Sequence, residues 1–373
     1  MHPRLDIAFF PPRSRLIRIH EMKYPLLPVA AALLFSTGLM VHAAKPGANP
    51  KQIEEYTRLQ IFLDNANFGP GKIDGHDGVF LRKALRLYQE AQGQAIAAPE
   101  KPKAPPETAG MDLSSVDPVF IEYTVTKEDF DTVGTLPSGP AAQAKVKRLP
   151  YGSLVEAIAE KFHSDIDFIK ALNPGQTVHL QAGSKVRVPN VKPFELSSVK
   201  GIEAGSEAKS LIANELAEAT AEQGAQPPAS PSDAAPAPGQ LSIHIGIKES
   251  YLEVRVGEKL AAAFPVTVGS HQTVSPIGKW KVQAVAKLPN FRYDPEMLKH
   301  GERSSNYHVL PPGPNNPVGI MWIALNKKGI GIHGTNDPDS IGRSASHGCI
   351  RLANWDVVKL AELVKPGVPV TIE

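Results

Sequence analysis

The chain has a single cysteine, Cys349, within a short run of residues suited to acid–base and nucleophilic chemistry. The run is Ser346-His347-Gly348-Cys349-Ile350-Arg351, and a second histidine, His333, precedes it in the sequence. A thiol becomes an effective nucleophile when a neighbouring base removes its proton. The grouping therefore predicts a catalytic cysteine. The simplest alternative is a buried cysteine that packs as a small apolar side chain.

Two histidines are candidates for the general base. His347 is two positions from Cys349, so on an extended segment both side chains lie on one face without pointing at each other. His333 ends the predicted strand Gly329 to His333 and can approach the sulfur from a neighbouring strand. We therefore assign His333 as the base and expect His347 to shape the pocket.

Residues beside the nucleophile are predicted to bind the substrate. Gly348 allows backbone N–H groups to approach an oxyanion, and Arg351 can bind a carboxylate through two hydrogen bonds. The alternative for Arg351 is a surface ion pair of little energetic effect. A zinc site built from His333, His347 and Cys349 is the competing enzyme class, but the sequence has no His-Glu-x-x-His motif to accompany it.

The N-terminal residues have the pattern of an export signal. Basic residues up to Lys23 precede an uncharged, mostly apolar stretch that ends near Val41. This pattern predicts a signal peptide over residues 1–43, with Met22 as an alternative start and an uncleaved anchor in the inner membrane as the alternative fate. We expect secretion across the inner membrane to the periplasm or cell envelope, where a lone cysteine has no partner for an internal disulfide.

Charge and length limit the remaining possibilities. The chain has 373 residues and a formal net charge of +2, without a basic arm, so we expect no nucleic-acid partner. This length is typical of two or three domains. Stretches rich in Ala and Pro predict linkers over residues 94–116 and 192–239. They separate predicted domains at residues 52–93, 120–191 and 240–373.

The first predicted domain, residues 52–93, is small and α-helical. Apolar residues recur at helical spacing on both sides of a glycine-rich turn. The order of residues resembles the peptidoglycan-binding domain 1 family, on the basis of Leu59-Gln60, Gly71, Ile73-Asp74-Gly75, Gly78, Ala84-Leu85 and Gln89. That resemblance implies binding to the cell-wall polymer. The alternative is a helical hairpin whose turns are purely structural.

The second predicted domain, residues 120–191, has a βααβ pattern. Strand-like segments at its two ends enclose two helical stretches, the second of which stops at Asn173-Pro174-Gly175. It resembles a LysM module, on the basis of Tyr123-Thr124-Val125, Leu172-Asn173-Pro174, Gly183 and Val188-Pro189. A LysM module implies glycan binding. The long stretch between Val125 and Leu154 departs from that family, so the alternative is a spacer domain without glycan affinity.

The third predicted domain, residues 240–373, is mainly β. Alternating apolar residues predict at least six strands, and a single helix is predicted from Asn354, as its cap, to Leu363. The stretch from Lys287 to Pro317 has no clear periodicity, and we expect it to be a loop that borders the site.

The run His333-Gly334-Thr335, followed by Ser346 to Arg351, resembles the signature of the L,D-transpeptidase catalytic domain, also called YkuD. The resemblance extends to Ser275-Pro276-Ile277-Gly278 and to Asn316-Pro317-Val318-Gly319. The expected fold is therefore multidomain: a YkuD-like β-sandwich with one helix, preceded by the small α-helical domain and the βααβ LysM-like domain.

The resemblance also implies a reaction. Cys349 would be acylated by a tetrapeptide stem of peptidoglycan after its diaminopimelate-type residue, with release of D-alanine, and an amine of another stem or of a protein would take the acyl group. His333 would take the thiol proton. The expected substrate-binding residues are Gly334, Thr335, Ser346, Gly348 and Arg351. No metal or organic cofactor is implied, and carbapenem-type β-lactams are expected to acylate Cys349. The alternatives are a carboxypeptidase that uses water as acceptor and a non-catalytic protein that binds the cell wall.

Overall fold

The computed structural model describes residues 49–94, 105–206, 239–269, 275–300, 302–343 and 348–373. The predicted signal peptide, much of both predicted linkers and the two site residues Ser346 and His347 lie outside these ranges. All described residues belong to one compact unit, Lys45–Glu373. None of the helices in the described ranges is long and apolar enough to cross a bilayer.

Two helices open the described chain, α1 (Pro50–Asn65) and α2 (Val79–Ala91). Asn49 caps α1, because its side chain accepts a hydrogen bond from the Lys51 N–H group, and Pro50 occupies the first turn, where no N–H donor is needed. The apolar faces of the helices pack on each other and also on the third region of the chain. Their shared core contains Leu59, Leu63, Phe68, Leu81, Ala84, Leu85, Tyr251, Leu260 and Ala263.

The second region begins and ends with an antiparallel strand pair, β1 (Phe120–Thr124) and β2 (Lys185–Pro189). Four α-helices lie between the strands: α3 (Lys127–Thr132), α4 (Pro140–Gln143), α5 (Leu154–Lys161) and α6 (Ile166–Leu172). The short helices α3 and α4 occupy the stretch in which sequence analysis predicts no regular element. A capping box between Thr126 and Asp129 starts α3, which explains why a helix of six residues forms there.

The described residues of the third region contain the remaining strands and two α-helices. Its first strands are β3 (Leu241–Gly246), β4 (Tyr251–Val256), β5 (Lys259–Pro265) and β6 (Gly278–Lys287). They are followed by β7 (Phe291–Tyr293), α7 (Pro295–His300), β8 (His308–Leu310), β9 (Met321–Leu325) and β10 (Gly331–His333). The chain ends with β11 (Ile350–Arg351), α8 (Asn354–Leu363) and β12 (Pro369–Ile372).

Eight of the described strands form one curled sheet with the order β11-β10-β9-β6-β12-β3-β4-β5. Strand β6 joins the two parts of the sheet. Its first residues pair with β12 and its last residues pair with β9. The register shifts between Val282 and Ala284. Just beyond β5, Thr267 bridges to Arg351 of β11, so the two ends of the sheet meet. The prediction of a mainly β domain is confirmed. A single folded-over sheet provides the two facing layers that the sequence analysis expects of a sandwich.

The main apolar core lies inside the curl of this sheet and beneath α8. It extends into residues that the sequence analysis assigns to a linker, because Phe194, Val199 and Ile202 are buried in it. The start of the 192–239 stretch is therefore a packed part of the third region, since each of these side chains removes apolar surface from water.

The segment between β6 and β9 has regular structure, where the sequence analysis predicts a loop. Strands β7 and β8 pair antiparallel, and α7 lies between them. The buried carboxylate of Asp294 accepts hydrogen bonds from the N–H and hydroxyl groups of Ser304, both at 2.8 Å, and from the Met297 N–H group at 3.2 Å. These bonds tie the two sides of the segment together.

Candidate active site

The candidate site lies on one face of the curled sheet, where β10 runs between β9 and β11. Ile332 is opposite Ile350 in the parallel β10–β11 pair, and both are completely buried in the core. Because successive side chains of a strand point to opposite faces, the neighbouring residues point away from the core. Trp322, His333 and Arg351 lie side by side on that outer face.

Cys349 directly precedes β11 and is two residues before Arg351, so alternation along the chain places it on the side of the sheet that carries Arg351. Its sulfur is 3.6 Å from the Gly329 carbonyl oxygen and accepts a hydrogen bond from the Gly331 N–H group. Glycine at position 331 leaves room there, because a Cβ atom would lie 2.7 Å from the Trp322 indole. Burial raises the pKa of the Cys349 thiol, and the Gly331 hydrogen bond and the Arg351 charge partly oppose that effect.

His333 is buried and held as a neutral imidazole. Its Nδ1 atom lies 2.6 Å from the Gly334 carbonyl oxygen, which can only accept, so Nδ1 carries the proton and Nε2 keeps its lone pair. The Trp322 indole stacks on the ring at 5.2 Å and 12°. Burial lowers the pKa of His333 to about 3, the nearby Arg351 charge adds to that effect, and the Gly334 bond opposes it. His333 Nε2 is therefore unprotonated at neutral pH.

Arg351 carries the positive charge of the site. Its backbone N–H and C=O groups both pair with Thr267 at 2.9 Å, which fixes the residue at the closure of the sheet. The Nε atom is buried and has no hydrogen-bond partner among the described residues. Burial lowers the pKa of the guanidinium, while the Cys349 sulfur and Asp337 oppose that shift. A buried donor without a partner is suited to an anionic group of a ligand.

Gly334 and Thr335, both predicted to bind substrate, are buried in the turn that follows His333. The Gly334 carbonyl accepts the His333 hydrogen bond, and a Cβ atom at this position would lie 2.2 Å from Asn354 Oδ1. The Thr335 hydroxyl accepts a hydrogen bond from the Asp337 N–H group at 3.1 Å. In this structure both residues shape the turn.

The remaining predicted residues are Gly348 and the two residues of the motif that lie outside the described ranges. Gly348 has a φ of 98°, in the region that favours glycine. Ser346 and His347 lie outside the described residues. Within the described ranges no three His, Cys, Asp or Glu side chains are close enough together to hold a metal ion.

Two residues that support His333 were not predicted from the sequence. Trp322 stacks on its ring, and Asn354 packs against the glycine that accepts its Nδ1 proton. Side chains alternate between the two faces of strand Met321–Leu325, and this pattern places Trp322 on the outer face. The alternation could therefore have identified Trp322 as a neighbour of the site. Asn354 was predicted to cap α8, but Ala353 is the N-cap, because the Asn354 amide bonds to Ile320 instead.

Comparison with known proteins places these features in a family. The model of the L,D-transpeptidase catalytic domain (YkuD) matches residues 241–372. The chain is 32% identical over 142 residues to "Putative L,D-transpeptidase YqjB" of Bacillus subtilis, which covers 37% of this chain and 73% of that protein. The chain belongs to the L,D-transpeptidase family.

Other relatives of this L,D-transpeptidase family member match a similar share of the chain. "Putative L,D-transpeptidase YkuD" of Bacillus subtilis is 33% identical over 135 residues, which is 36% of this chain and 66% of that protein. The match thus spans just under two thirds of that relative. L,D-transpeptidase 3 from Mycobacterium tuberculosis, solved with a faropenem-derived adduct, covers 36% of this chain and 60% of its own at 16% identity and a TM-score of 0.29.

The L,D-transpeptidase prediction is confirmed for the third region. The family match begins at Leu241 and therefore does not include the helical region 52–93 or the region 120–191. The resemblances of those two regions to peptidoglycan-binding and LysM modules stay predictions.

Proposed function

We propose that this chain is an L,D-transpeptidase of peptidoglycan in which Cys349 is the nucleophile and His333 is the general base. One observation carries the proposal: the thiol of Cys349, which directly precedes β11, bonds to the backbone of Gly331 in β10, and the same strand carries the neutral imidazole of His333 beside Arg351, whose Nε atom has no partner among the described residues. A neutral thiol beside a neutral imidazole can transfer its proton as the sulfur attacks, so no preformed ion pair is required.

The acylation step follows from this arrangement. The Cys349 sulfur attacks the carbonyl carbon after the diaminopimelate-type residue of a tetrapeptide stem, and the thiol proton passes to His333 Nε2. Backbone N–H groups around Gly348 stabilise the oxyanion of the tetrahedral intermediate. Collapse breaks the amide bond, and the imidazolium returns the proton to the leaving amine of D-alanine. A thioester to Cys349 remains.

Transfer to the acceptor reverses these roles. An amine of diaminopimelate type gives a proton to His333 and attacks the thioester, which forms the crosslink and restores the thiol. A protein amine would give attachment to the wall, and water would give a carboxypeptidase. We further propose that Arg351 binds a carboxylate of the donor stem, that Ser346, His347, Gly334 and Thr335 shape its pocket, and that the protein acts in the cell envelope.

The test is acylation by a carbapenem, because a strained β-lactam carbonyl can acylate a nucleophilic cysteine. The reduced protein should gain the mass of one carbapenem on Cys349, and Cys349→Ala should gain none. His333→Gln should retain the fold but react about 10²-fold to 10⁴-fold more slowly, since it lacks the base. A folded, reduced wild-type protein that forms no adduct would contradict the proposal, and a folded Cys349→Ala variant that still forms one would contradict the choice of nucleophile.

The acceptor needs a separate measurement. Purified protein incubated with tetrapeptide muropeptides should release D-alanine and form dimers that contain a new amide bond. Formation of tripeptides alone would favour the carboxypeptidase, and no D-alanine release from any muropeptide would favour a non-catalytic role in wall binding.

A further inference from the structure

A buried carboxylate of the second region contacts a side chain that packs beside the candidate active site. Glu160, on α5, accepts a hydrogen bond from the Tyr151 hydroxyl at 2.6 Å. Its two oxygens lie 3.1 and 3.2 Å from Nδ2 of Asn354, the first residue of α8 in the third region. All three side chains are buried. The contact thus joins the predicted LysM-like region directly to the helix that follows the catalytic motif.

The opposite end of the Asn354 side chain is wedged among the backbone atoms that precede β9 and follow β10. Its Oδ1 atom accepts a hydrogen bond from the Ile320 N–H group at 3.3 Å. A Cβ atom at Gly319 or at Gly334 would lie only 2.2 Å from this oxygen. The two glycines therefore leave the space that the amide fills, and any shift of Asn354 moves it against, or away from, the Gly334 backbone.

Gly334 in turn determines which ring nitrogen of His333 carries the proton. Its carbonyl oxygen receives the Nδ1 proton at 2.6 Å, and this bond leaves Nε2 free to act as the base. We propose that Glu160 is a positioning residue for His333 and acts through Asn354 and the Gly334 carbonyl. On this proposal, which rests on the proposed function, the second region is part of the support of the catalytic base, in addition to any part that it has in binding glycan.

An ionised carboxylate fits this position because it must accept from two donors at once. Tyr151 and Asn354 both point hydrogen atoms at it, and an amide in its place would turn an NH₂ group toward one of them. Burial, with a smaller contribution from the Glu156 carboxylate, raises the pKa of Glu160 to about 7, while the bonds from Tyr151 and Asn354 oppose that rise.

Other bonds hold the second and third regions together without Glu160. The Leu149 N–H group donates to the Pro312 carbonyl at 3.0 Å, and Asn315 Nδ2 donates to Glu156 Oε1 at 2.9 Å. A change at Glu160 should therefore disturb Asn354 without separating the regions. Glu156 offers a matched control, since it belongs to the same helix and the same interface but does not touch Asn354.

The test compares Glu160→Gln with Glu156→Gln in the full chain. We expect Glu160→Gln to slow carbapenem acylation of Cys349 about tenfold, because small displacements of catalytic groups cost about this much or more. Glu156→Gln should react at the wild-type rate, with both melting temperatures near that of the wild type. In an Asn354→Ala background, Glu160→Gln should cause no further slowing, because its route to His333 is already broken.

The tautomer of His333 provides a readout that does not depend on activity. In the wild type, ¹⁵N NMR should show a proton on Nδ1, and Glu160→Gln should shift the population toward Nε2–H. Tyr151→Phe, which removes one bond to the carboxylate, should act in the same direction if Glu160→Gln does not fold.

Equal slowing by both glutamine variants, or additive slowing in the Asn354→Ala background, would overturn the proposal, since either result would reflect a general loosening of the interface. Wild-type tautomer populations in a folded Glu160→Gln variant would also overturn it. If the wild-type protein is not acylated at all, the proposed function fails, and the tautomer measurement still decides this inference.

Discussion

The stacking of Trp322 on His333 leads to a quantitative prediction for the effect of pH. The indole covers one face of the imidazole, and burial is the main reason that the pKa of His333 is about 3 instead of 6.5. Trp322→Ala should admit water and move this pKa upward. At pH 5 a group with a pKa of 3 is about 1% protonated and one with a pKa of 6.5 is about 97% protonated. A full return would thus remove about 97% of the base, which slows acylation about 30-fold.

The assay is the second-order rate of acylation by a carbapenem between pH 5 and pH 8, followed by mass spectrometry. The ratio of the Trp322→Ala rate to the wild-type rate should fall by up to about 30-fold from pH 8 to pH 5. Other titrating groups, Glu160 among them, act on both proteins and cancel in the ratio. Trp322→Phe keeps an aromatic ring on His333 and should show a nearly constant ratio. A constant ratio for a folded Trp322→Ala variant would refute burial under Trp322 as the cause of the low pKa of His333.

Three further changes should alter stability. Burial raises the pKa of Asp356 to about 8, so the folded protein keeps a proton that the unfolded chain releases above the ordinary pKa of 3.8. The free energy of unfolding should therefore fall as the pH rises between these two values. In denaturant titrations, the free energy of unfolding of Asp356→Asn should increase relative to the wild type by about 1.4 kcal/mol for each pH unit. Gly334→Ala places a Cβ atom 2.2 Å from Asn354 Oδ1 and should lower the free energy of unfolding by about 1–3 kcal/mol and slow acylation. Gly313→Ala, at a φ of 148° and 2.1 Å from the Leu149 carbonyl oxygen, should destabilise by a similar amount, about 1–3 kcal/mol, and make the junction of the second and third regions more sensitive to protease.

A control distinguishes steric effects from a general intolerance of alanine. Gly78 has an ordinary φ of −141° and no atom within 4 Å of its expected Cβ, so Gly78→Ala should change the unfolding free energy by less than about 0.5 kcal/mol. A Gly334→Ala variant as stable and as reactive as Gly78→Ala would contradict the close fit of Asn354. An Asp356→Asn gain that does not grow with pH would contradict a raised carboxyl pKa.

Local patterns were sufficient to predict several strands of the third region, including strands that form the candidate site. Alternation predicted β9 and β12, and the position of His333 at the end of a strand led to its expected approach from a neighbouring strand, which is the arrangement of β10 and β11. The same alternation predicted the mainly β fold of the third region, and the family signature added its sandwich architecture. These features depend on residues that are close in sequence or on a motif of fixed order, and both are visible in a single chain.

Contacts between the regions could not be predicted in this way. Glu160 lies in a short amphipathic helix, where a glutamate is ordinarily assigned to the solvent side, yet it is buried against Asn354. Asn354 precedes an apolar helical stripe and was therefore predicted to cap it. Phe194 lies in a stretch assigned to a linker by its surroundings. In each case the contacting residue is distant in the sequence, so neither the local pattern nor the composition indicates the contact.

The closure of the curled sheet limits how a peptide can approach the cysteine. The short strand β11 uses its backbone on both sides: Arg351 pairs with Thr267 in two hydrogen bonds of 2.9 Å, and the next residue, Leu352, donates to the His333 carbonyl at 2.8 Å. An extended ligand that binds by strand addition needs a row of free N–H and C=O groups at a sheet edge. Those groups of β11 are occupied here, so on the proposed function we expect a donor stem to lie across the outer face of the sheet and to be recognised through side chains such as Arg351.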